Sequence, residues 1–154
     1  MKKLFLGLSL FAFIGFTTAA CNTDDDNNTT IVEANTLPNE GQLFITTHFP
    51  DTTISVVEKY NPAKGDGTMY EVKLSNGVEI DLDQAGNWIE VDAPSYASLP
   101  TSFILPNIVN YIETNYPAQG INSIDKTVAG FDVELVNDID LIFDTNGNFL
   151  RIKL

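Results

Sequence analysis

Cysteine, histidine and tryptophan occur once each in this chain, as Cys21, His48 and Trp88, and basic residues are scarce. A single cysteine cannot close an intrachain disulfide, and one histidine leaves no cluster with zinc-ligand spacing. There are 8 Lys plus Arg against 21 Asp plus Glu, for a formal net charge of −13. Phosphate contacts need clustered Lys and Arg, so nucleic acid is excluded as a partner and an anionic membrane surface is disfavoured. No P-loop, dinucleotide glycine pattern or serine in a nucleophile-elbow context is present. Acidic pairs are too common to single out a catalytic dyad. The reading is of a protein that is not an enzyme and needs no cofactor.

The first residues carry an address. Lys2 and Lys3 precede the apolar run Leu4–Phe16, and small residues then lead to Cys21. This predicts an export signal over 1–20, too short to span a membrane. Thr18-Ala19-Ala20-Cys21 resembles a relaxed bacterial lipobox, which makes Cys21 the lipid-attachment residue and that lipid the protein's one membrane contact. Thr18 departs from the usual Leu, Val or Ile, and ordinary signal-peptidase cleavage is the alternative. Residues 21–36 are polar and acidic, the composition of a disordered tether. Asp24-Asp25-Asp26 is similar to acidic signals that send some lipoproteins to the cell surface, with a solvated spacer as the alternative. The expected location is the cell envelope, facing either the periplasm or the exterior.

The folded part is internally repeated. Tyr70–Val91 aligns without a gap on Phe131–Ile152, 61 residues later. Val72/Val133, Leu74/Leu135, Asn76/Asn137, Asp83/Asp144, Gly86/Gly147 and Asn87/Asn148 are identical pairs. Each copy alternates apolar and polar residues as a half-buried strand does. Asn76-Gly77 marks a hairpin turn, for which Asn137-Asp138 is a poorer substitute, and Gly86 suits a left-handed position.

A helix signal precedes each copy. Thr36 is a candidate cap for a helix near 38–49, with Pro38 and Glu40 in its first turn and Pro50 as its stop. Leu105-Pro106 opens a second helix near 106–116, with Ile108, Ile112 and Tyr116 on one face. Thr52–Tyr60, with Ile54 and Val56 inward, and Ile121–Val128 read as the strands that follow. A single helix-plus-sheet unit leaves an apolar stripe uncovered, whereas two side by side share one sheet. The predicted class is α+β, a tandem repeat of a helix and a four-stranded antiparallel meander. Its single domain spans 37–154, with repeat one at 37–92, repeat two at 99–154 and both helices on one sheet face.

LPxxxxxFIxxHFP from Leu37, followed by YEVKLSNGVEIDLDQAGNW from Tyr70, closely resembles the β-lactamase-inhibitor-like, PepSY-like domain family (DUF2874) of exported bacterial proteins. The second half carries the same motifs in degraded form. The resemblance implies an architecture like that of β-lactamase inhibitory protein. As activity it implies protein binding or restraint of a peptidase.

Asp81–Gly86 and Asp144–Asn148 have the composition of calcium loops but lack the distal glutamate, and hairpin turns use the same residues. No metal site is expected. Alternation in the two copies predicts Ile89 and Val91 toward the helices. Trp88 and Glu90 then face solvent, joined by Ile142, Phe149, Arg151 and Lys153. Trp88, Glu90, Ile142, Phe149 and Arg151 are therefore the candidate binding surface for a protein or peptide partner. Two functions remain open: a binding protein, inhibitory or not, that uses the open sheet face, and an accessory envelope lipoprotein with weak cation or glycan binding.

Overall fold

Seven strands contribute one residue each to a single apolar row, and this row organises the structure. The computed structural model describes residues 29–153. The export signal, Cys21 and Asp24–Asp26 lie outside the described residues. Nine strands form one sheet in sequential order, every neighbour antiparallel: β1 (Thr29–Ile31), β2 (Ile54–Tyr60), β3 (Tyr70–Leu74), β4 (Glu79–Leu82), β5 (Trp88–Asp92), β6 (Ile121–Thr127), β7 (Gly130–Leu135), β8 (Asp140–Asp144) and β9 (Phe149–Ile152). Helix α1 (Asn39–His48) precedes β2, and α2 (Pro106–Asn115) precedes β6.

The register places Val57, Val72, Ile80, Val91, Ile124, Val133 and Leu141 directly opposite one another across β2 to β8. None of the seven is more than 1% exposed. Burying each side chain contributes about 2 kcal/mol. A row of adjacent residues on one sheet face can be buried only by a layer laid over that face. Both helices supply it. Gly41 of α1 sits against Leu82, two residues along from Ile80, and Tyr111 of α2 meets Phe143, two residues along from Leu141.

Several boundaries differ from the sequence reading. Thr29–Ile31, expected within a disordered tether, pairs with Glu58–Tyr60 and makes a ninth strand. Thr36 does not cap α1; its hydroxyl bonds the Glu33 carbonyl in a turn of 3-10 helix, and Pro38 occupies the cap position. An irregularity between Ile54 and Val56 turns Val57 inward and sets Val56 opposite outward-facing Lys73. That corrects the inward placement of Val56.

The seam between the halves is the pairing of β5 with β6, three residues long. Asn122 ties the linker to it. Its side-chain amide donates to the carbonyls of Ala93, Pro94 and Ala97, at 3.3, 3.4 and 2.9 Å. Each helix is seated on a turn of its own half. Gly86 takes φ 91°, and a Cβ there would lie 2.7 Å from the backbone nitrogen of Gly41. Gly77 takes φ 86°, but its nearest neighbour would be a Pro94 side-chain atom at 3.3 Å.

These two glycines give a graded test. Gly77→Ala should cost about 1 kcal/mol, the ordinary left-handed penalty. Gly86→Ala adds a backbone clash and should cost about 3 kcal/mol, as measured by urea denaturation.

Candidate functional site

The outer sheet face is the reverse of the apolar row. One position along the same strands, Glu58, Glu71, Asp81, Glu90, Asp125, Asp132, Ile142 and Arg151 stand opposite one another in register. A second outer row runs Val56, Lys73, Glu79, Asp92, Ser123, Glu134 and Asp140. Like charges directly opposite in a sheet destabilise it. The structure compensates them unevenly.

Under the loop before β3 they are neutralised. Lys64 Nζ lies 2.8 Å from Glu71 and 3.4 Å from Asp81, and the buried Thr68 hydroxyl donates to Asp81 at 3.1 Å. Burial alone would lower the Lys64 ammonium, but the bond to Glu71 and the charges of Asp81 and Glu71 hold it raised. Tyr60, partly desolvated and donating to Glu71, is pushed up to about 12.

At the seam the carboxylates make no ion pairs, and only Asp125 feels a nearby cation, Lys153. Among the described residues, no salt bridge reaches Glu90, Asp92, Asp125 or Glu134. All four are raised above the ordinary carboxylate range. Desolvation is the first cause, reinforced at Glu90 by Asp125, at Asp92 by Glu79, at Asp125 by Asp132 and at Glu134 by Asp140. A cleft of about 580 Å³ opens beside Asp92 and Glu134; Glu79, Asp138 and Lys73, which is paired with Glu79, also line it, with Tyr96 and Asn122 on its wall. Tyr96 is 84% exposed, and Tyr96 and Asp138 are the two non-glycine residues with positive φ among those described.

The sequence-predicted surface divides here. Glu90, Ile142 and Arg151 share the first outer row. Trp88 and Phe149 do not, which corrects their expected solvent placement. Asp81 pairs with Glu90, but Leu82 pairs with Trp88, so Ile89 is an extra residue. Such a β-bulge shifts the alternation by one and turns Trp88 to the Leu82 side. Ile89 therefore does not face the helices, as alternation had placed it. Trp88 meets Phe44 of α1 at 6.3 Å and Phe103 at 5.5 Å between ring centroids. The second half has the same bulge, with Leu150 the extra residue between Arg151 and Phe149. Phe149 stacks on Tyr111 of α2 at 4.4 Å and 10°. The signal available in sequence was the preceding Gly-Asn turn. The alternation was ambiguous because Ile89 and Leu150 are apolar too.

Sequence reasoning missed the seam carboxylates Asp92, Asp125 and Glu134, which become a group only once β5, β6 and β7 are in register. The aspartates of the calcium-like loops are occupied by their own turns. Asp83 Oδ1 accepts the N–H groups of Ala85 and Asn87, and its Oδ2 accepts the Asn87 amide; Asp144 repeats this with Asn146 and Asn148. No cluster of three or more His, Cys, Asp or Glu arranged to hold a metal ion occurs among the described residues. His48 Nδ1 lies 2.8 Å from Ser102 Oγ, joining α1 to the turn before α2. No described carboxylate bonds the other nitrogen of this ring, so a Ser-His-acid arrangement is not assembled there. No described helix is long and apolar enough to cross a membrane.

Two helices laid on one face of an open, nine-stranded antiparallel sheet define a two-layer α+β protein whose other face is open except under the loop before β3. The chain belongs to the family described as "Putative beta-lactamase-inhibitor-like, PepSY-like", which it matches over residues 22–85 and again over 68–151. A similar solved structure is a "putative periplasmic protein of unknown function" from Bacteroides vulgatus, with TM-score 0.74, 27% identity, and coverage of 82% of this chain and 99% of that one. Another is a "putative calcium-regulated periplasmic protein" from Bacteroides thetaiotaomicron, with TM-score 0.73, 29% identity, and coverage of 82% and 97%. A third, from Bacteroides vulgatus, is a "putative periplasmic protein" of the DUF2874 family, with TM-score 0.71, 28% identity, and coverage of 86% and 99%. No curated protein matches the chain.

Two tests follow from this geometry. Trp88→Ala should cost about 3 kcal/mol in a denaturant melt, because the indole is packed beneath α1. The seam sets the pH dependence. Carboxyls raised on folding make the folded state bind more protons just above the ordinary carboxylate range. Stability should therefore rise as pH falls from neutral toward that range. Below it, Asp83 and Asp144, both lowered by their turn hydrogen bonds, take up protons and stability should drop. Asp125→Asn should flatten the rise and lift the melting temperature at neutral pH, as read from thermal melts across pH.

Proposed function

We propose that this protein is a non-enzymatic, lipid-anchored protein of the cell envelope that binds a basic protein or peptide through its open sheet face. The observation that carries the reading is the seam. Glu90, Asp92, Asp125 and Glu134 lie on the outer face and none makes a salt bridge among the described residues, so a partner that brings Lys or Arg would relieve their repulsion. The cleft beside them has room for a cationic side chain, with Tyr96 offering an aromatic face to it. Ile142 and Arg151 extend the same surface, whereas Trp88 and Phe149 support it from behind. Binding here restrains an enzyme if the basic partner is one, as the family description suggests.

The two overlapping family matches and the paired bulges support an origin by duplication of a helix-plus-meander unit. The periplasmic relatives and the export signal support location in the envelope. Cys21 is the proposed lipid-attachment residue. The turn hydrogen bonds that occupy Asp83 and Asp144 argue against calcium as a ligand of those two turns.

The test compares the parent protein with an Asp92→Asn/Asp125→Asn/Glu134→Gln variant as bait for solubilised envelope proteins. The expected result is a basic protein held by the parent at low salt, released at high salt and lost from the variant, with both baits folded. A partner captured equally by the two would end the reading. Cys21→Ala should abolish incorporation of labelled palmitate and release the protein from membranes.

A further inference from the structure

The helix side of the sheet carries a second, chemically different recess. Between α1 and the Gly86–Trp88 turn lies a cleft of about 410 Å³ whose walls include Leu43, Phe44, His48, Trp88 and Lys126. Lys126 reaches it from β6 across the seam. Its ammonium donates to the Trp88 carbonyl at 2.9 Å and stands 3.5 Å from the centroid of the indole ring. It takes part in none of the four ion pairs among the described residues. Desolvation holds it below the ordinary lysine value, against the pull of the Asp83 charge. One of its three N–H groups is used by the carbonyl, so donor capacity remains. Glu40 is the one carboxylate lining the cleft, two helical turns from His48.

The second half of the chain supplies an internal comparison. At the corresponding place lie Asn110, Tyr111, Asn115 and Phe149, around a more open recess of about 400 Å³. There the two rings close face to face at 4.4 Å, whereas Phe44 and Trp88 remain 6.3 Å apart. Leu43 takes the place of Asn110 and is 60% exposed. Nothing corresponds to Lys126, because β9 ends the sheet. If this cluster served packing alone, the second half shows the arrangement that suffices. The first half has instead a more enclosed recess walled by Leu43, Phe44 and Trp88, and a cation that makes no ion pair among the described residues.

We propose that this cleft binds a small organic carboxylate with an apolar body, the carboxylate meeting Lys126 and the body lying between Leu43, Phe44 and Trp88. An uncharged apolar molecule would leave the ammonium's remaining N–H groups without an anion, and a cation would meet it as a like charge. The site is independent of the acidic face, which lies on the other side of the sheet.

Trp88 is the single tryptophan of the chain, so its fluorescence reads the cleft directly. The purified protein at neutral pH is titrated with 3-phenylpropionate, with excitation beyond the tyrosine band and 3-phenylpropanol as the uncharged control. The expected result is a saturable change for the acid, with the alcohol and Lys126→Gln each weaker by about tenfold, the loss of one charge-assisted contact. Leu43→Glu, on the exposed wall, should abolish the response without changing the melting temperature. It decides the matter if Lys126→Gln folds poorly. No saturable change up to the solubility limit of the probe would overturn the proposal. Equal affinity for the alcohol, or undiminished binding by folded variants, would do so as well.

Discussion

The contact on which the rest depends is the apolar row from Val57 to Leu141, because it requires both halves to lie in one register. Moving any strand by one residue would carry its member of the row to solvent, and each member has an acidic residue on at least one side that would then turn inward. The penalty for burying an unpaired carboxylate far exceeds that for exposing a valine, so the acidic residues police the register from the outer side. The same alternation therefore fixes the fold and builds the charged face. The two helices are consequences of the row: Ile45, Ile108 and Ile112 are buried because they cover it.

The acidic face is a local conflict accepted by the structure. Where a cation was within reach, as with Lys64, Lys73 and Lys153, it was used. Glu90, Asp92, Asp125 and Glu134 make no salt bridge among the described residues, and only the charge of Lys153, bonded to Asp132, partly offsets Asp125. Groups held in an unfavourable arrangement on an open surface are the usual mark of a place shaped for something other than stability.

Much of this architecture was legible in the sequence. The helix starts at Pro38 and Pro106 stand out because proline fits a first turn. The hairpin at Asn76-Gly77 stands out because its second residue must take positive φ. Asp138 takes φ 63° at the position where the second copy lost its glycine. The bulges were not legible, because a bulge changes which face a residue takes without changing residue type, and Trp-Ile-Glu-Val alternates acceptably in either phase. Strand β1 was hidden for a related reason: Thr29-Thr30-Ile31 has little apolar content of its own and is held by the edge of β2. The seam carboxylates were visible individually. Their grouping depends on β5 meeting β6 across 28 intervening residues, which no local pattern encodes.

The sequential strand order has a kinetic consequence. Apart from the seam and the pairing of β1 with β2, which spans α1, each strand finds its partner in the segment next to it in the chain, so most of the sheet can assemble through short loop closures. The pairing of β5 with β6 is different, since the linker and the whole of α2 must be placed before it closes. Each half can thus gain local order early, while full cooperativity waits on three residue pairs and the Asn122 amide that clamps the linker beside them. This non-local pairing is also the one that brings the seam carboxylates together, so the acidic seam exists only once the two halves have joined.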